Sequence, residues 1–138
     1  LSTLSPNVLS EAVCAAGDVK AVFAHVDVVG AYMNETFQAR DGLQPQLFPN
    51  HIPTFTGHYH RRHTVEGTNI HYVGSPYQVS RSEAGQEKAL TVLDAGWQPV
   101  EVVPLDVGPR HFFVSGLRDT ADGDAQRPPV RKGDRVRV

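Results

Sequence analysis

Ile52-Pro53-Thr54-Phe55-Thr56-Gly57-His58-Tyr59-His60-Arg61-Arg62-His63 is the stretch on which the reading of this 138-residue chain turns. Its first five residues form a short run suited to a strand, and Gly57 ends that run. Three of the chain's seven histidines then follow within six residues. Upstream, Val19-Lys20-Ala21-Val22-Phe23-Ala24 has the same character, an apolar and β-branched run that reads as a buried strand. It ends at His25, shortly before Gly30. Two strands therefore each deliver histidine into a loop.

Further out, Ser5-Pro6 offers an N-cap with proline at the first helical position. Val8, Leu9, Ala12, Val13 and Ala16 recur at helical spacing until Gly17. The spacing predicts one amphipathic N-terminal helix, with the single cysteine, Cys14, buried and inert on its apolar stripe. Residues 43–47 suit a turn of helix. Residues 70–73, 89–94 and 100–105 read as strands, with Gly74-Ser75-Pro76 making a tight turn after the first of them. Residues 119–129 read as a mobile loop, and residues 130–138 alternate apolar and basic side chains like an edge strand with a cationic face. The expected class is α/β at the start and antiparallel β afterwards.

Composition narrows the function classes. A 40% hydrophobic chain of this length can bury one core. No apolar run reaches the roughly 20 residues of a membrane span, and the first residues lack a signal peptide's basic start, so a cytoplasmic protein is expected. One cysteine excludes an internal disulfide. With 13 Lys and Arg against 15 Asp and Glu, the net charge of −2 provides no global attraction for nucleic acid, and such binding must come from local patches.

Gly57-His58-Tyr59-His60 carries the sharpest chemistry. In an extended loop, residues two apart point the same way, so His58 and His60 can offer imidazole nitrogens to one side, with Gly57 giving the tight turn before them. Imidazole pairs favour transition metals over magnesium or calcium. His25, also at a strand's C-terminal end, adds a third donor at the place where open α/β sheets bind ligands. Arg61, Arg62 and His63 read either as contacts to phosphate or as a solvated basic loop. Ser75 and Gln78 lie on a loop that can reach a substrate phosphate, or serve a plain turn. His51, His71 and His111 lack partner spacing and read as structural.

These residues resemble a known family. Ala21-Val22-Phe23-Ala24-His25 and Gly57-His58-Tyr59-His60 look like the last two metal-binding motifs of the calcineurin-like metallophosphoesterases. Thr56-Gly57-His58-Tyr59-His60-Arg61-Arg62, Tyr72-Val73-Gly74-Ser75-Pro76-Tyr77-Gln78 and Glu83-Ala84-Gly85-Gln86-Glu87-Lys88 are similar to SbcD-type, phage-like DNA repair exonucleases. The stretch Val103-Pro104-Leu105-Asp106-Val107-Gly108-Pro109-Arg110 resembles their passage into a capping region.

The resemblance implies the C-terminal half of a four-layer αββα sandwich, mostly strands with one N-terminal helix. Residues 1–110 would complete the phosphoesterase domain and residues 111–138 would begin a capping extension. It implies a two-metal centre, with manganese favoured over iron, zinc or cobalt, in which His25 and His58 ligate one ion and His60 the other. Arg61, Arg62, Ser75 and Gln78 would face substrate. DNA, an SbcC-type SMC-like ATPase, the N-terminal half of the same domain and a second copy in a homodimer are the implied partners. The family's Asp-x-His, Gly-Asp-x-x-Asp and Gly-Asn-His motifs do not occur here. They carry the bridging carboxylate, the asparagine ligand and the histidine that protonates the leaving group, so no catalytic residue is identified in this chain, which alone is expected to be inactive. The competing readings are a phosphoesterase of another substrate class and a non-catalytic module that keeps the fold.

Overall fold

The structure is a computed structural model that describes residues 6–113 and 130–137. The chain runs through helix α1 (Pro6–Ala15) and strands β1 (Val22–His25), β2 (Thr54–Gly57), β3 (His63–Thr64), β4 (Ile70–Tyr72), β5 (Lys88–Leu93), β6 (Pro99–Leu105), β7 (His111–Phe113) and β8 (Arg135–Arg137). Mixed α/β with mostly strands and one helix is thus the observed class. Short 3-10 turns at Pro45–Leu47 and Arg81–Glu83 punctuate the loops, the first of them where a turn of helix is expected. Ser5, the 119–129 loop, Arg127 and Val138 lie outside the described residues.

One four-stranded sheet, in the order β1-β2-β4-β3, organises the chain. β1, β2 and β4 are parallel, and β3 returns antiparallel to β4. The parallel register sets His25 beside Gly57, so the two histidine-bearing loops leave the same edge of the sheet side by side. β5 and β6 form an antiparallel hairpin, closed by Asp94, whose Oδ1 accepts the Gly96 and Gln98 N–H groups at 2.8 Å each. β7 and β8 pair in parallel, against the antiparallel expectation for this region. Among the described residues of the expected 130–138 run, Arg135–Arg137 is strand and residues 132–133 turn.

The two faces of the sheet differ as strand alternation requires. Ile70 and Tyr72 of β4 point into a core completed by Val28, Ala31, Phe48, Tyr59 and Val65. On the opposite face Phe23, Phe55 and His71 are register partners and form a row, stacked at 5.5 and 5.4 Å.

Two expectations fail here. β1 is not a buried strand: among the described residues it is one of the sheet's two outer strands, and Phe23 is 61% exposed. Cys14 is exposed rather than buried, because α1 packs chiefly against the Pro45–Leu47 turn and leaves most of its surface open. Helical periodicity identifies an apolar stripe, but it does not supply the surface that covers it.

Candidate metal and phosphate site

The loop after β1 is fixed by a hydroxyl from two strands away. Tyr72 is fully buried; its Oη donates to the Val26 carbonyl at 2.9 Å and accepts the Val28 N–H at 3.0 Å. The two peptide groups flanking Asp27 are thereby satisfied by one side chain, and burial pushes the phenol well above its ordinary pKa, so it remains a donor. Thr56 of β2 adds its Oγ1, 3.3 Å from the Val26 N–H.

His25 stands at the end of β1 against Gly57. A Cβ on residue 57 would lie 2.7 Å from His25 Nδ1, so the glycine leaves the room the imidazole occupies. The tight turn expected at Gly57 falls one residue later, at His58, with φ of 87° in the left-handed region. A non-glycine residue held there is uncommon and clusters at functional sites.

Because His58 departs from extended geometry, the simple alternation expected to align it with His60 does not operate. His58 Nε2 instead reaches Asp27 Oδ1 at 2.6 Å, and its ring meets the His25 ring edge-on at 5.5 Å. His60 Nδ1 pairs with Glu83 Oε1 at 3.0 Å. His58 and His60 do line one cavity of about 230 Å3, together with Asn34, Arg61 and Glu83. Tyr59, between them, turns into the core and packs on Tyr72 at 5.1 Å. Burial, with the neighbouring Asp27 carboxylate, raises its phenol to about 12.

Glu83 is the hub behind His60. Its side chain is 5% exposed and accepts hydrogen bonds from Lys88 Nζ at 2.7 Å, Ser75 Oγ at 3.1 Å and Ser80 Oγ at 3.0 Å. Burial opposes its ionisation, but the hydrogen bonds from Lys88, His60 and Ser80 outweigh burial and hold the carboxyl down at about 2. Lys88 Nζ also donates to the His60 carbonyl at 3.0 Å, which ties the second histidine's backbone to the same network.

The remaining candidates are distributed around this centre. Ser75 is buried, and besides Glu83 its Oγ lies within hydrogen-bond reach of the Tyr77 carbonyl. Gln78 is buried too, accepting the His111 N–H at 2.6 Å and donating to the Gln86 carbonyl at 3.2 Å. Both side chains brace loops in this structure. Arg61 lies over the Tyr32 ring, donates to the Asn34 carbonyl and approaches Glu35 at 3.5 Å, while Arg62 is exposed. His63 is a structural residue: Nδ1 donates to the Arg61 carbonyl, Nε2 accepts the Tyr32 N–H at 2.8 Å, and the ring stacks on Tyr72. His71 stacks on Phe55 and meets Thr64 Oγ1 at 2.9 Å.

Sequence reasoning missed Asp27 and Glu83, the carboxylates that hold His58 and His60. A signal for Glu83 was present in Ser80-x-x-Glu83, a capping box that the structure forms completely. Asp27 carried only its position two residues after His25.

The donor set suits a borderline transition metal: imidazole nitrogens, two of them on rings that a carboxylate holds, as in metal-ligating histidines. Among the described residues, no group of three or more histidine, cysteine or acidic side chains is placed to hold an ion alone. The fit is therefore that of part of a ligand set. No helix among the described residues is long and apolar enough to cross a membrane.

No family model matches the chain. A similarity to a curated protein does emerge. The chain is 29% identical over 139 residues to the SbcD subunit of the SbcCD nuclease of Rhodobacter capsulatus, an alignment that covers 94% of this chain and 33% of that protein. The chain spans about a third of the length of the curated relative it matches.

Proposed function

We propose that this chain is the C-terminal portion of a metal-dependent phosphodiesterase of the SbcD type, acting on DNA. The observation that carries the reading is the placement of His25, His58 and His60 on two adjacent loops at one end of a parallel sheet. The similarity to a nuclease subunit along nearly the whole chain supports it.

In this reading His25 and His58 hold one divalent ion and His60 a second, with manganese favoured and iron, zinc or cobalt chemically acceptable. When bound, such ions supply Lewis acidity and an activated water for attack on a phosphodiester. This chain's own residues orient the imidazoles: Gly57 leaves space for His25, Asp27 stands ready behind His58, and Glu83 fixes the His60 ring through Nδ1. Arg61, Arg62, Ser75 and Gln78 border the loops that substrate would approach. Arg61 and Arg62 are suited to phosphate oxygens, and Ser75 and Gln78 act by holding the loops in place. Residues 1–110 complete the phosphoesterase domain, whose four-layer sandwich requires the N-terminal half, and residues 111–138 begin the capping extension. The natural setting is cytoplasmic, with an SbcC-type ATPase as partner and a homodimer as the assembly.

The test is manganese-dependent cleavage of DNA by the polypeptide that carries the Asp-x-His and Gly-Asn-His motifs ahead of this chain. His58→Ala should abolish cleavage while leaving the protein folded. Unchanged cleavage would reject the metal assignment, and a reading frame without those motifs would favour a non-catalytic module.

A further inference from the structure

The loop between β1 and β2 has a fixed base and a lightly held tip. At the base, the Val29 N–H donates to the Leu43 carbonyl at 3.0 Å, and the Gly30 and Ala39 N–H groups donate to the Ala39 and Ala31 carbonyls at 2.8 Å each, with Ala31 and Ala39 buried. Beyond them, residues 32–38 close on themselves. Tyr32 and Gln38 form an antiparallel bridge, the Met33 N–H donates to the Phe37 carbonyl at 2.9 Å, and Asn34 Oδ1 accepts the Thr36 and Phe37 N–H groups. The tip can therefore move as one piece. Its large apolar side chains, Met33 and Phe37, are exposed, so polar ties rather than burial hold it down. Met33 and Asn34 line the cavity of His58 and His60, which places the tip at that cavity's rim.

His63 supplies the central tie. Its Nε2 accepts the Tyr32 N–H at 2.8 Å while its Nδ1 donates to the Arg61 carbonyl at 3.0 Å, an arrangement open only to the neutral ring. A protonated ring carries N–H at both nitrogens, and the second would point at the Tyr32 N–H. The charged and titratable groups around the ring come from each element packed on it. Arg61 and Arg62 precede it, Tyr72 of β4 stacks on it at 4.9 Å, Tyr32 of the loop meets it edge-on at 5.6 Å, and His71 lines a cavity with it. Burial and, less strongly, the Arg61 guanidinium disfavour the charged ring, against the pull of the Arg61 carbonyl. The other ties are made by partly exposed side chains. Arg61 donates to the Asn34 carbonyl at 3.2 Å and lies over the Tyr32 ring, and Gln86 donates to Glu35 at 2.9 Å. Contacts of this kind at a surface contribute little.

We propose that residues 32–38 form a flap at the rim of the His58 and His60 cavity, latched by neutral His63 and released when that ring takes up a proton. The open flap leaves Nε2 free to bind a proton near the ordinary value of 6.5, whereas the closed flap occupies it. Falling pH therefore favours the open state: closure is fully present above about pH 6.5 and weakens below it, tenfold per pH unit for one proton. The release needs no bound ion, so it stands apart from the metal reading.

The experiment is amide hydrogen exchange of the full chain in EDTA between about pH 7.5 and about pH 5, read by NMR as protection factors so that the intrinsic pH dependence of exchange is removed. Tyr32 protection should fall about tenfold per pH unit below about pH 6.5, while Gly30 and Ala39 at the loop base keep theirs. His63→Gln, whose side-chain oxygen can accept the Tyr32 N–H but does not titrate, should hold Tyr32 protection level across the range. The soluble nitroxide TEMPOL should broaden the His60 ring resonances more in the wild type than in His63→Gln at the acid end. Tyr32 protection that stays level in the wild type, or falls equally in His63→Gln, would overturn the latch. So would loss at Gly30 and Ala39 in step with Tyr32, which would mark unfolding of the whole sheet. Equal nitroxide broadening in the two proteins would show that the tip does not cover the cavity, and would overturn the flap.

Discussion

Lys88 Nζ lies 2.7 Å from Glu83 Oε2, and both side chains are 5% exposed. A buried ion pair of this kind is costly to break by halves, because the surviving charge stays in a low dielectric without its partner. The same carboxylate holds His60 Nδ1, so the pair links the packing of β5 to the orientation of a candidate ligand.

From that geometry, Lys88→Met and Glu83→Leu should each lower stability by about 3–5 kcal/mol in urea denaturation. The double variant should lose much less than the sum. Additive losses would show that the two side chains act separately.

Gly57→Ala introduces a Cβ that meets His25 Nδ1 at 2.7 Å. Overpacking of this kind costs about 1–3 kcal/mol. The His25 ring resonances should shift, while those of His71, across the sheet, should stay in place. Wild-type stability with an unmoved His25 spectrum would refute the close approach.

Tyr72→Phe removes the hydroxyl that bridges Val26 and Val28 and leaves buried peptide groups unsatisfied. The expected loss is about 1–3 kcal/mol, together with faster hydrogen exchange at the Val28 amide. An unchanged exchange rate at Val28 would contradict the anchoring role.

Acid should destabilise the fold through His63 and His71. Burial lowers both below their ordinary value of 6.5, and for His63 this outweighs the hydrogen bond to the Arg61 carbonyl. The unfolded chain therefore takes up protons first as pH falls. Stability present above about pH 6.5 declines below it, by up to about 1.4 kcal/mol per pH unit for each group, until the folded imidazoles titrate. Urea midpoints measured across this range should fall with pH, and His63→Gln should shallow the decline. A flat profile would contradict the assignment.

The strand ends were legible because they combine two local signals, an apolar run and a residue that stops it. His25 and Gly57 emerged in this way, and their adjacency followed once the strands paired in parallel. What was not legible depends on contacts distant in sequence. The Tyr72 hydroxyl acts across 44 residues, and Cys14 became exposed for want of a covering surface that no periodicity can report. His58 broke the expected alternation because its backbone turns left-handed, a choice that histidine identity does not announce. The β7–β8 pairing was missed because the three-residue β7 is too short to show a period.

The most direct measurement is paramagnetic broadening of the seven histidine ring resonances on titration with manganese. Broadening should begin at His25, His58 and His60, while His51, His71 and His111 remain sharp at the same metal concentration. Broadening that begins elsewhere, or spreads equally over all seven rings, would contradict the assignment of these three histidines to a metal centre.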